Sequence, residues 1–161
     1  MLPFFKYNWQ VRNEYFDILC PIPHEEIFKN RIGGVGSIAY TLFHIVDVEY
    51  SWLITDLNQQ PEIEWRFEDF KSLEDIQRFS EERHPPVSAF VVRYTDGTSR
   101  GNRDEGDEQK LLISEDPPLK YGEVMRHVIA HEIHHIGQLS IWVRELGLKP
   151  PTANFIRRSF F

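Results

Sequence analysis

The sequence holds one cysteine, Cys20, in 161 residues, so no internal disulfide can brace it. That fits a reducing compartment. Cys20 precedes Pro21-Ile22-Pro23, where a first helix should stop, so it reads as a helix-end residue and not as a catalytic thiolate, which would need an activating neighbour. No stretch approaches the roughly 18 consecutive apolar residues of a membrane span. The opening MLPFFKYNWQVRNEY interrupts its apolar run with Lys6, Asn8 and Arg12 and lacks a signal-like core. The expected location is therefore the cytoplasm, with no membrane partner. Basic charge is also scarce: the formal net charge is −7, which argues against gripping nucleic-acid phosphates. The nearest basic cluster, Arg157-Arg158, reads as a tail or packing strap. Gly33, Gly34 and Gly36 follow no strand and fit no Walker pattern, so they read as a hinge before a helix.

What is present is a globular composition, 41% hydrophobic, 27% charged and 14% aromatic, in a length that suits one domain, residues 1–161. The spacing predicts four main helices. The first runs from Pro3 to Cys20, with Phe4, Phe5, Trp9, Val11, Phe16, Ile18 and Leu19 on its apolar face and Lys6, Arg12, Asn13 and Glu14 mostly opposite. A turn or two follows at His24–Phe28. The second, Ile38 to Leu57, is capped by Ser37 and is apolar around much of its circumference. A polar link carrying Trp65, Phe67 and Phe70 leads to a third helix capped by Ser72, in which Pro85-Pro86 predict a break or kink. Val87 to Tyr94 fits a resumed helix or a strand, Thr95 to Gly106 a loop, and Leu111-Leu112-Ile113 a short extended piece. The last helix spans Gly122 to Leu146, ended by Gly147 and Pro150-Pro151. Four helices with long links make an all-α four-helix bundle.

In the last helix Val124, Val128, His131, His135, Leu139, Trp142 and Leu146 recur at steps of three and four, so two histidines one turn apart lie on a stripe that should be buried. Neutral imidazoles so placed can converge on one ion. His127 is on the same stripe, but about 12 Å of helix axis separates it from His135, too far for a shared ion. His134 is turned about 100° away. The third ligand should come from another helix. His44 is the histidine within the other strongly apolar helix, whereas His24 and His84 lie beside loop or proline segments. Three imidazoles leave a coordination position open, as catalytic sites do. His131-Glu132-Ile133-His134-His135 also matches the zinc-protease signature H-E-x-x-H. That activity is set aside, because the only later carboxylate side chain, Glu145, is about 15 Å further along the same helix. Asp47 and Glu49 are either supports for a ligand imidazole or partners in salt bridges.

Ser37-Ile-Ala-Tyr-Thr-Leu-Phe-His44-Ile-Val-Asp-Val-Glu49 and His131-Glu-Ile-His-His135-Ile-Gly-Gln138-Leu resemble the two motifs of the DinB-like superfamily, and Leu146-Gly147-Leu-Lys-Pro150-Pro151 is similar to its ending. The resemblance covers nearly the whole chain. It implies a four-helix bundle whose metal is held by His44, His131 and His135. It implies a frequent dimer, and in several relatives the transfer of a low-molecular-weight thiol. The family name implies no DNA binding. The expected function is that of a divalent-metal-dependent enzyme, zinc first and nickel next, acting as a thiol S-transferase on a small-molecule thiol and an electrophile, as a homodimer. The alternatives are a metal-dependent hydrolase or a non-catalytic metal-binding sensor module.

Overall fold

Prolines and glycines punctuate the chain where the elements change. In the computed structural model, which describes residues 1–99, 111–112, 114–158 and 160, helix α1 spans Leu2–Leu19 with proline in its first turn and Cys20 at its C-cap. Short helix α2 spans His24–Phe28. Helix α3 begins at Ile38, where the Ser37 hydroxyl accepts the Tyr40 N–H at 3.0 Å. It is α-helical to Tyr50, and Ser51–Leu57 continue it as wider π-helix. A link with a 3₁₀ turn at Phe67–Asp69 follows. Trp65, Phe67 and Phe70 of that link pack on the core, with Phe43 and Phe70 rings 5.1 Å apart.

Helix α4 spans Leu73–Ser99 with Pro85 and Pro86 inside it. The expected break is therefore absent, and the strand alternative for 87–94 is excluded. Two prolines remove two backbone donors, but Val87, Phe90, Val91 and Tyr94 are buried at helical spacing and extend the stripe of Leu73, Ile76 and Phe79. Burial of that stripe outweighs the local proline penalty. The expected loop from Thr95 begins later, since the helix includes Ser99, and residues 100–106 lie outside the described residues. Leu111–Leu112 (β1) pairs antiparallel with Leu119–Lys120 (β2); Ile113 lies outside the described residues. The last helix, α5, spans Tyr121–Glu145 and starts with Glu123 accepting the Lys120 N–H.

α1, α4, α3 and α5 touch in a ring, each packed against the next, which gives an all-α bundle carrying one small β-ribbon. The C-terminal segment straps α1: Arg158 pairs with Glu14 at 2.8 and 3.1 Å, and Tyr7 donates to the Ala153 carbonyl. No described helix is long and apolar enough to cross a membrane.

The core has two apolar clusters. One holds Tyr15, Phe16, Leu42, Ile45, Phe79, Ile136 and Leu139, the other Phe5, Trp9, Leu53, Val91, Met125 and Val128. Each of three helices carries a buried charged side chain where one cluster gives way to the other: Arg12 on α1, Glu49 on α3 and Glu132 on α5, all at most 3% exposed. The bundle is thus divided by a polar layer, and this layer fixes the level of the candidate site.

Candidate metal centre

Each residue advances an α-helix by about 100°. On α5 this places Glu132 amid the buried Met125, Val128, Ile129, Ile136 and Leu139, and His131 at the edge of that face. The buried arc is therefore rotated from the stripe that the sequence predicts. His135 is buried and His131 half-buried. His127 is exposed, contrary to its expected place on the stripe, because it lies about 40° beyond His131 on the outer side. Its ring is 6.0 Å from Trp52 and 6.0 Å from His131.

The facing helix, α3, presents His44, half-buried and stacked on Tyr40. His131 Nε2 lies 3.1 Å from His44 Nε2 and 3.1 Å from His135 Nε2. All three candidate ligand atoms fall within 4.8 Å of one another. Two nitrogens 3.1 Å apart, each about 2.0–2.1 Å from a shared ion, subtend about 100° at it. The spacing therefore fits a divalent cation of zinc size, and the all-imidazole donor set suits zinc, nickel, copper or iron. Burial, with the neighbouring rings, holds the His131 pKa down at about 3. Burial also lowers His44 and His135, the latter opposed by its hydrogen bond to Gln138. Neutral rings are the form that binds metal.

The surroundings differ from expectation at several residues. Neither Asp47 nor Glu49 supports a ligand ring. Glu49 accepts from Trp9 Nε1 at 2.7 Å and from Arg12 Nη2 at 2.8 Å. Asp47 lines a cavity of about 230 Å³ with Tyr50, Ser51 and Trp65, and burial raises its carboxyl pKa. Glu132 is gripped by Arg12, whose Nε and Nη2 donate to its two oxygens at 2.8 and 2.7 Å. A carboxylate held this way is poorly placed as the general base of a zinc protease, so the H-E-x-x-H match does not extend to that chemistry. Burial works against the Arg12 charge, but the two carboxylates, Glu132 and Glu49, outweigh it and hold Arg12 charged, while burial pushes Glu132 upward against the pull of Arg12.

Arg12 was expected on the polar side of α1, yet it is 3% exposed. The signal was present, since Phe5, Trp9, Phe16 and Leu19 stand at minus seven, minus three, plus four and plus seven from it. Glu49 and Glu132 sit in the same relation to apolar neighbours. A cation and two anions on three apolar stripes must meet to be buried at all.

Gln138, quoted in the sequence only as part of a motif, makes the contact to a ligand's second nitrogen. Its Oε1 lies 2.7 Å from His135 Nδ1, and its Nε2 2.9 Å from His134 Nε2.

The chain also resembles known proteins in sequence and in fold. Residues 1–160 match the DinB family. The chain is 41% identical over 159 residues to the uncharacterized protein YizA of Bacillus subtilis (strain 168), covering 99% of this chain and 96% of that one. It also resembles the crystal structure of a DinB-like protein from Bacillus cereus ATCC 10987, with a TM-score of 0.61 at 18% identity over 94% of this chain and 95% of that one. The second likeness carries the fold alone.

Proposed function

The chain belongs to the DinB family, and from that premise we propose that it is a divalent-metal-dependent enzyme that transfers a low-molecular-weight thiol to an electrophile, with His44, His131 and His135 as the metal ligands. The observation that carries the reading is the convergence of three imidazoles from two helices, His131 Nε2 lying 3.1 Å from the Nε2 of each of the other two and all three candidate ligand atoms within 4.8 Å of one another. His44 and His131 are only half-buried, which leaves part of the cluster open to solvent, as a site that receives a substrate requires. A divalent ion bound there lowers the pKa of a coordinated thiol or water and so supplies a nucleophile at neutral pH. The protein's own share is to keep three imidazoles neutral by burial and to aim their lone pairs at one point. In the transfer itself the thiol gives up its proton, its sulfur bonds to the electrophilic atom, and the leaving group departs with its bonding pair.

Zinc is the first choice of ion and nickel the second. We take residues 1–161 as a single domain that acts as a cytoplasmic homodimer. A hydrolase is less well supported, because the carboxylate next to the cluster in sequence, Glu132, is engaged with both oxygens by Arg12. A closed shell of protein ligands would favour a non-catalytic role, and the half-buried rings speak against such a shell.

The test has two parts. Elemental analysis of natively purified protein is expected to find close to one zinc or nickel per chain. Conjugation of an electrophilic dye to a panel of small thiols is then followed before and after chelation. Equal rates in the chelated and metal-loaded samples would remove the catalytic reading.

A further inference from the structure

A ligand imidazole can bind an ion through Nε2 only if its proton sits on Nδ1. Nothing in the ring itself enforces that choice, since the partner of the second nitrogen sets the tautomer. His135 has such a partner in Gln138, three residues on along α5. The amide oxygen can only accept, so the 2.7 Å contact is a bond from His135 Nδ1–H to Gln138 Oε1. The amide nitrogen can only donate, so the 2.9 Å contact on the other side runs from Gln138 Nε2 to His134 Nε2. The exposed His134, accepting at Nε2, is the second partner of the amide in this orientation. Reversed, the amide would present N–H to His135 Nδ1 and drive its proton onto Nε2, into the point where the three rings meet.

A second element confines the same amide. The glycine loop before α3 crosses it so closely that a Cβ on Gly34 would lie 2.9 Å from Gln138 Oε1 and 2.7 Å from the Trp142 ring. Gly34 also has φ +62, a conformation that suits glycine. The loop is anchored there by Trp142 Nε1 donating to the Ile32 carbonyl at 3.3 Å. The glycine cluster thus has a structural task beside the candidate site: it lets backbone approach the group that orients a ligand.

We propose that Gln138 is the positioning residue of the candidate metal centre, holding His135 in the Nδ1–H tautomer so that its Nε2 lone pair faces His44 and His131, with His134 as the amide's second partner and Gly34 confining it. The inference rests on the reading of the three histidines as metal ligands, and the experiment separates the two.

Its first arm uses the metal-free, full-length protein. Long-range ¹H–¹⁵N spectra of the imidazoles are expected to show His135 as the Nδ1–H form in the parent. The same form should hold in Gln138→Glu, whose carboxylate still accepts, and it should lose dominance in Gln138→Met. The second arm measures Zn²⁺ affinity by competition with a chromophoric chelator. Gln138→Met is expected to bind about 10–100-fold more weakly, as loss of a ligand's supporting hydrogen bond generally produces, with Gln138→Glu restoring most of it. Thermal unfolding of each metal-free variant verifies the fold, and a merely space-filling role would give no rescue by glutamate and no change of tautomer. An unchanged His135 tautomer in Gln138→Met, or equal zinc affinities in parent and Gln138→Met, overturns the assignment while leaving the three-histidine ligand set intact. A parent protein that binds neither Zn²⁺ nor Ni²⁺, with the tautomers as expected, overturns the ligand set itself and the positioning role with it.

Discussion

Removing the Arg12 guanidinium should be the most damaging single change away from the histidines. Arg12→Met keeps an unbranched stem but strands Glu49 and Glu132, each at most 3% exposed, without their cation. Breaking a buried ion pair from one side generally costs about 3–5 kcal/mol, a large part of the ~5–15 kcal/mol that holds a domain folded. The stranded carboxyls have one escape, which is to take up a proton. From an ordinary glutamate pKa of ~4.3, neutralising one group costs about 3.7 kcal/mol at pH 7 but only about 1 kcal/mol at pH 5. Without Arg12 to oppose it, burial raises the folded-state pKa of Glu132 above the unfolded value. The variant's stability is therefore full below about pH 4.3 and is lost as pH rises through the folded-state value. Urea unfolding at pH 7 and pH 5 reads both effects. Arg12→Met is expected to lose about 3–5 kcal/mol against the parent at pH 7 and distinctly less at pH 5. Adding Glu49→Gln and Glu132→Gln should recover most of the loss, since the uncompensated charges are gone and residue 49 keeps an oxygen for Trp9 Nε1. A loss below about 1 kcal/mol at pH 7, or an equal loss at both pH values, would refute this account of the polar layer.

Two further outcomes follow from the geometry of the site. Zn²⁺ or Ni²⁺ at about 100 times its dissociation constant should stabilise the folded chain by about 2.7 kcal/mol, a rise in Tm of about 5–10 °C for a chain of this size, read by calorimetry; His44→Ala and His131→Ala should each abolish most of the rise. Gly34→Ala should cost about 1–3 kcal/mol, because its Cβ meets Trp142 and Gln138, whereas Gly33→Ala, also at positive φ but with nothing within 4 Å, should cost less; chemical denaturation of the two variants compares them directly.

Much of the bundle was legible because its signals are local. Ser37 as a cap, Pro21 and Pro23 as a stop, and Gly147 before Pro150-Pro151 each act within one or two turns of themselves. The long apolar repeat of residues 38–57 announced a buried helix without reference to anything else. The misreadings arose where partners decide. Pro85 and Pro86 left a break, a kink, or a strand after them all open, and the helix continues through them, because the stripe beyond them is buried against other elements. Arg12 was assigned to the polar side by its charge, although its neighbours at helical spacing were apolar. His127 was put on the inner face, since spacing alone gives the width of a stripe but not its centre.

The amino-acid order alone determined that two imidazoles, one helical turn apart, share a face of α5, since helical pitch is fixed by the backbone and needs no partner. It also singled out His44 as the third member, through its place in the other strongly apolar helix. Only the tertiary structure decided that those three rings meet, that Arg12 stands between Glu49 and Glu132, and that Gln138 and not an acidic side chain supports His135. These are contacts between residues far apart in sequence or rotated about an axis whose buried side is set by neighbouring helices. The orientation of a helix about its own axis is decided by packing, and no property of a single helix fixes it.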